Sequence, residues 1–101
     1  METGYVLELE NNKYYIGITK NIVKRLREHN NGYGSKWTQV NKPKRCIEYF
    51  EYSKRGEREY TIKYMKLYGW ENVRGAGWTA TNLRRPKFFK NSFPPLLISM
   101  I

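Results

Sequence analysis

Two β-prone runs, Tyr5 to Glu10 and Tyr14 to Thr19, stand only three residues apart. The polar link between them, "ENNK" with its two asparagines, is a hairpin signal, so the chain commits at its start to an antiparallel pair. A lone hairpin is marginal in water and needs further strands or a covering layer. The following residues supply both. "KNIVKRLREH" reads as a helix with Asn21 as N-cap and an i, i+4 apolar stripe at Ile22 and Leu26. "NNGYGSKWTQVNKPK" is rich in Gly, Asn and Pro and reads as a loop. "KRCIEYFEYS" reads as a third strand, and "GEREYTIKYMKLYG" as a second helix closed by Gly69. From "ENVRGAGW" onward no regular element is legible. The order strand, strand, helix, strand, helix predicts an α+β domain: a three-stranded antiparallel sheet flanked by helices. That domain spans residues 1–81. The tail, 82–101, holds a basic run "LRRPKFFK", then Pro94-Pro95 and an apolar end "LLISMI", with disorder as one reading of it.

Charge narrows the partner. Lysine and arginine total 19 against 9 acidic residues, a net charge of +10 that calls for a polyanion. Nucleic acid is the commonest; an anionic membrane surface is the competitor. No apolar stretch of about 20 residues is present, and no spanning segment is expected. The start "METGYVLELE" lacks a basic n-region and an apolar h-region, and Cys46 has no partner for an internal disulfide, so an intracellular, non-secreted protein is expected. One Cys and one His exclude a Cys/His zinc site. The nine tyrosines can fill a small core or stack on bases, and core packing is the commoner use.

Two helical faces carry groups suited to chemistry. On a wheel of about 100° per residue, Arg25 and His29 border the Ile22–Leu26 stripe, while Lys24, Arg27 and Glu28 face water. An arginine snorkelling along the core edge is the plain reading. On the second helix Glu57 shares its face with Tyr60, Tyr64 and Tyr68, whereas Glu59 sits beside Lys63, its expected i, i+4 partner, and Lys66. A carboxylate on the sheet-facing side needs a partner, either an arginine or a divalent cation.

These residues together resemble a GIY-YIG nuclease domain, over roughly Thr3 to Trp78. "YIG" is intact at Tyr15-Ile16-Gly17. The first element reads Thr3-Gly4-Tyr5, keeping only the family's tyrosine. Arg25 follows Tyr15 by ten residues and His29 follows four later. "EREY" from Glu57 to Tyr60 is similar to the family's glutamate and aromatic, and Asn72 stands in an "NV" like the family's "NI". The resemblance implies a Mg2+- or Mn2+-dependent DNA endonuclease that nicks one strand per active site. It implies Tyr5, Tyr15, Arg25, His29, Glu57 and Asn72 as site residues. Glu57 would hold the metal, Arg25 the phosphate, Tyr5 would deprotonate the attacking water and His29 would take or relay the proton. Tyr15 would fix the phosphate, and Asn72 would brace the site. Lys20, Lys24, Lys36, Trp37 and Arg74 are the side chains expected at the DNA, with Lys20 also a candidate to stabilise the Tyr5 phenolate. Double-strand cleavage or specificity would need a dimer or a partner protein. A non-catalytic nucleic-acid-binding module of the same fold is the alternative, and a partner-binding role for "FPPLLISMI" a weaker third.

The resemblance makes one geometric demand. If Tyr5 and Tyr15 share a site, they must share a sheet face. A two-residue turn at Asn11-Asn12 sends them to opposite faces; a three-residue loop, Asn11 to Lys13, pairs Leu9 with Tyr15 and brings them together. An odd-length loop or a bulge is therefore expected.

Overall fold

The hairpin forms as β1 (Thr3–Leu9) and β2 (Lys13–Thr19) in a computed structural model that describes residues 2–89. Its loop is odd in length, as expected, but is Glu10–Asn12 rather than Asn11 to Lys13, so Leu9 faces Lys13 and Leu7 faces Tyr15. Asn11 and Asn12 carry it at φ 65° and 57°, a left-handed geometry that asparagine tolerates better than most residues. Tyr5, Leu7, Tyr15 and Gly17 consequently share one face.

Helix α1 (Ile22–Asn30) follows, capped by Asn21, whose side chain accepts from the Lys24 amide at 3.0 Å. The segment read as a loop contains a short helix, α2 (Lys36–Val40), capped by Ser35. Five residues carry too little periodicity to be legible. Strand β3 (Pro43–Glu51) pairs with the free edge of β1, with register shifts at Val6/Leu7 and Glu8/Leu9. Helix α3 (Lys54–Tyr68) starts at a Ser53 cap and ends at Gly69, whose amide donates to the Met65 carbonyl.

The sheet departs from three antiparallel strands. A fourth, β4 (Val73–Gly75), runs parallel to β2 and gives the mixed order β3-β1-β2-β4. Three residues cannot display an alternation, and this strand is fixed by tertiary packing: a Cβ on Gly75 would meet the Thr61 hydroxyl and the Ile16 backbone.

Alternation along β1 and β2 builds two cores. Tyr5, Leu7 and Leu9 bury against Trp37, Ile22 and Leu26, under α1 and α2. Val6, Tyr14 and Ile16 bury against Tyr64, Met65 and Val73, on the α3 side. Leu83, Phe88 and Phe89 also pack on this second core, so the fold continues past residue 81. Pro94-Pro95 and the apolar end lie outside the described residues. No helix among the described residues is long and apolar enough to cross a membrane.

Candidate active site

The face shared by Tyr5 and Tyr15 meets the inner edge of α1. His29, 1% exposed, lies against both rings, with centroids 5.8 Å from Tyr5 and 5.3 Å from Tyr15. The Tyr5 hydroxyl is 2.9 Å from His29 Nε2, and His29 Nδ1 is 3.0 Å from Thr38 Oγ1. Gly17 lies opposite Tyr5 across the hairpin, and a Cβ there would fall on the Tyr5 hydroxyl. The glycine that ends the "YIG" run is thus a space requirement of the phenol. Gly34 plays the same part for the imidazole: a Cβ there would fall on His29 Nδ1.

Arg25, one turn before His29, is partly exposed and pairs with Glu28, Nη1 to Oε1, at 3.2 Å. Burial pushes the Tyr5 and Tyr15 hydroxyls up, while the Arg25 guanidinium pulls both back down. Glu57 is half-buried in the first turn of α3. Burial raises its pKa, and nearby Glu2 adds to the effect. Its negative charge is felt at the Tyr15 hydroxyl, although the body of α3 covers the other face of the sheet. No ion pair joins it to a described side chain. Glu59 points to water and pairs with Arg55 Nε at 2.8 Å, in place of the Lys63 expected from spacing.

Burial also drives His29 from 6.5 down to about 4, helped by the Arg25 charge. The fold therefore holds a neutral imidazole. As pH falls from 6.5 toward 4, the unfolded chain takes up this proton and the folded chain does not. Stability present in full above 6.5 is lost through that window, by about 3 kcal/mol in total. Thermal melts between about pH 7 and pH 4 check this: the wild type should lose more stability than His29→Gln, which has no imidazole to titrate.

Several expected site residues lie elsewhere. Asn72 closes the turn just before β4, where it accepts from Lys13 Nζ, at the start of β2, at 2.6 Å and donates to the Tyr68 carbonyl at 2.8 Å. Asn72 thus braces the β2–β4 junction, and its hydrogen bonds go to Lys13 and Tyr68 and not to Tyr5, Tyr15 or His29. Trp37 and Arg74, expected on the surface, are turned inward. Trp37 is buried and donates from Nε1 to the Tyr14 carbonyl at 2.9 Å. Arg74 is 3% exposed, stacks on the Trp37 ring at 4.1 Å and donates to the carbonyls of Trp70, Glu71, Val73, Ala80 and Thr81. Lys20, Lys24 and Lys36 are exposed, at or beside the starts of α1 and α2. Exposed tyrosines that the sequence reading does not single out are Tyr33, beside Gly34, Tyr49, which pairs with Tyr5 in register on β3, and Tyr52. Ser35 and Thr38 also went unnoticed, although a serine three residues before a threonine at a helix start is a cap signal.

The model of the GIY-YIG catalytic domain matches residues 3–69. The chain belongs to the GIY-YIG family. GIY-YIG domains are generally endonucleases, and the match takes in Tyr5, Tyr15, Arg25, His29 and Glu57 while leaving out Asn72 and Arg74. Among curated relatives, a UPF0213 protein of Clostridium perfringens is 39% identical over 66 residues, covering 62% of this chain and 71% of its own. The UPF0213 protein YazA of Bacillus subtilis is 34% identical over 70 residues, covering 65% and 71%. A UPF0213 protein of Staphylococcus saprophyticus is 34% identical over 62 residues, covering 58% and 76%. No solved structure matches this GIY-YIG chain.

Proposed function

We propose that this chain is a Mg2+- or Mn2+-dependent DNA endonuclease that hydrolyses one phosphodiester bond per active site. The observation that carries the reading is the buried 2.9 Å hydrogen bond between the Tyr5 hydroxyl and His29 Nε2. A module that only binds nucleic acid has no use for a phenol delivered to an imidazole beneath the surface. The net charge of +10 and the exposed Lys20, Lys24 and Lys36 suit a polyanionic substrate.

Glu57 fits a cation: it is half-buried and makes no ion pair with a described side chain. No group of three His, Cys, Asp or Glu stands together among the described residues; Glu57 would hold the ion, with Glu2 the nearby second carboxylate. So few protein ligands would suit Mg2+, which is commonly held by one or two carboxylates together with water and substrate phosphate. When bound there, the metal supplies Lewis-acid stabilisation of the leaving 3′ oxygen. Arg25 binds the phosphate and offsets its growing negative charge. Tyr15 donates a hydrogen bond to the same group. Tyr5 passes its proton to His29 Nε2 as its oxygen takes a proton from the attacking water. The new P–O bond forms while the bond to the 3′ oxygen breaks, and that oxygen keeps the electron pair. With the Tyr5 hydroxyl pushed up and His29 held near 4, this transfer is uphill in the resting site. The Arg25 guanidinium favours loss of the Tyr5 proton, and a cation held at Glu57 would add to that.

Nicking of supercoiled plasmid over a panel of divalent metals tests the reading. Arg25→Lys should lower the rate on the order of 10²-fold at unchanged melting temperature, because an ammonium lacks the planar two-point fork. No nicking by wild-type protein in any metal sinks the proposal. Near-normal nicking by Arg25→Lys removes Arg25 from the phosphate.

A further inference from the structure

The hydrogen bonds around His29 run on past the imidazole to a residue that no part of the scheme above employs. We infer that Thr38 is a positioning residue: its hydroxyl fixes His29 in the Nδ1–H tautomer and so aims the Nε2 lone pair at the Tyr5 hydroxyl. The catalytic part of this inference rests on the proposed nuclease reading; the tautomer itself does not.

The assignment follows from counting protons. Thr38 Oγ1 lies 3.0 Å from the Ser35 carbonyl, and a carbonyl can only accept. That carbonyl also takes the Gln39 amide, and Ser35 Oγ lies 3.3 Å from Thr38 Oγ1, so Ser35 offers the Thr38 hydroxyl proton two acceptors. What Thr38 Oγ1 then presents to His29 Nδ1, at 3.0 Å, is a lone pair. Nδ1 must bring the hydrogen. A neutral imidazole carries one N–H, so Nε2 is bare, and the Tyr5 hydroxyl donates to it at 2.9 Å. All three protons point the same way: Tyr5 to His29, His29 to Thr38, Thr38 to Ser35.

The opposite tautomer fails the same count. An Nε2–H would donate to the Tyr5 oxygen, leaving a 1% exposed phenol to find another acceptor for its own proton. Nδ1 would face the Thr38 oxygen lone pair to lone pair, unless Thr38 abandoned Ser35. Both groups are buried, Thr38 at 2% exposure, so water is a poor substitute.

The local chain is built to hold this arrangement. Ser35 caps α2, its Oγ accepting from the Thr38 amide at 3.3 Å, so the turn bearing the Ser35 carbonyl also fixes the threonine. Gly34 allows the loop to press on the imidazole, where any side chain would strike Nδ1. The Thr38 hydroxyl also lies 3.3 Å from Ser35 Oγ, so its removal by an isosteric valine leaves the Ser35 cap on the Thr38 amide in place.

The protein has one histidine, so its imidazole nitrogens are unambiguous in a 15N-histidine NMR spectrum. At neutral pH, wild-type protein should show a protonated, pyrrole-type Nδ1 and a bare, pyridine-type Nε2. Thr38→Val should shift population toward Nε2–H and lower nicking on the order of 10²-fold, the scale of general acid–base catalysis. Thr38→Ser should restore both. A wild-type spectrum with Nε2 protonated overturns the inference, and so does a Thr38→Val protein with an unchanged tautomer or with undiminished nicking. If the valine variant does not fold, the wild-type and Thr38→Ser spectra still decide the assignment. Failure of wild-type protein to nick, with Nδ1 protonated, would count against the nuclease reading and leave the tautomer standing. Active wild type with the other tautomer would do the reverse.

Discussion

Glu57→Gln is expected to abolish nicking, by about 10³-fold or more, whereas Glu59→Gln, two residues along the same helix, should cut at the wild-type rate. The contrast comes from helix phase. Thr61 back-bonds to the Glu57 carbonyl at 2.8 Å and is itself buried against β4, which fixes the first turn of α3 with Glu57 toward the sheet. From there its charge reaches the Tyr15 hydroxyl. Glu59 is on the outside, 61% exposed, in a pair with an Arg55 that is 88% exposed. Such a pair contributes about 0.3–0.5 kcal/mol to stability and nothing to a phosphate on the other side of the helix. Because glutamine keeps the shape of Glu57 and removes only its charge, DNA affinity should stay the same or tighten slightly. Paired nicking assays at saturating Mg2+, with melting curves as a folding control, measure this. A dead Glu59→Gln beside an active Glu57→Gln would invert the placement of α3 and take the metal assignment with it.

The reach of the sequence can be judged residue by residue. Asn21, Gly69 and the two tyrosine strands were readable because caps, turns and two-fold alternation act over a few neighbouring residues. The shared face of Tyr5 and Tyr15 was readable as a condition on loop length, since one residue more or less flips a strand. The exact loop was not: sliding it by one residue keeps both tyrosines on the same face, so the demand is met by either register. β4 and α2 escaped because three and five residues leave no period to detect, and each exists through contacts made by distant chain. Glu59 shows a smaller limit. Spacing offers it a basic residue one turn away in both directions, Arg55 and Lys63, and the structure chooses Arg55. Lys63 instead lies over the rings of Tyr60 and Tyr64, at 5.3 and 6.0 Å. The harder miss is the fate of Trp37 and Arg74. An aromatic and an arginine in a chain of +10 suggest a nucleic-acid surface, and composition carries no information about which cations turn inward.

Arg74 therefore gives the other large expected effect, on stability in place of binding. Its guanidinium reaches five backbone carbonyls, from Nε to Ala80 at 2.6 Å, from Nη1 to Trp70, Glu71 and Val73, and from Nη2 to Thr81 at 3.0 Å. No carboxylate lies within ion-pair distance of it among the described residues. Burial lowers its pKa, and only the Glu71 charge opposes that. The charge is tolerated because each guanidinium nitrogen donates to at least one backbone carbonyl, which offsets the cost of burying it. Arg74→Met removes the donors and leaves the carbonyls of two chain segments, 70–73 and 80–81, without the group that joins them. It also removes the cation from the Trp37 ring. A loss of about 3–5 kcal/mol is expected, a large share of the 5–15 kcal/mol typical of a whole domain. Lys24→Ala, on an exposed residue, should move stability by no more than about 0.5 kcal/mol. Salt dependence separates the two roles. Lys24→Ala should reduce the slope of log affinity against log salt by about one unit if Lys24 meets a phosphate, whereas Arg74→Met, measured at a temperature where it is folded, should leave the slope unchanged. A shallower slope for Arg74→Met at full stability would return it to the DNA interface. The expected result instead ties Arg74 to the active site through the fold: Trp37 is held by Arg74, α2 is held by Trp37, and α2 carries the Thr38 hydroxyl that orients His29.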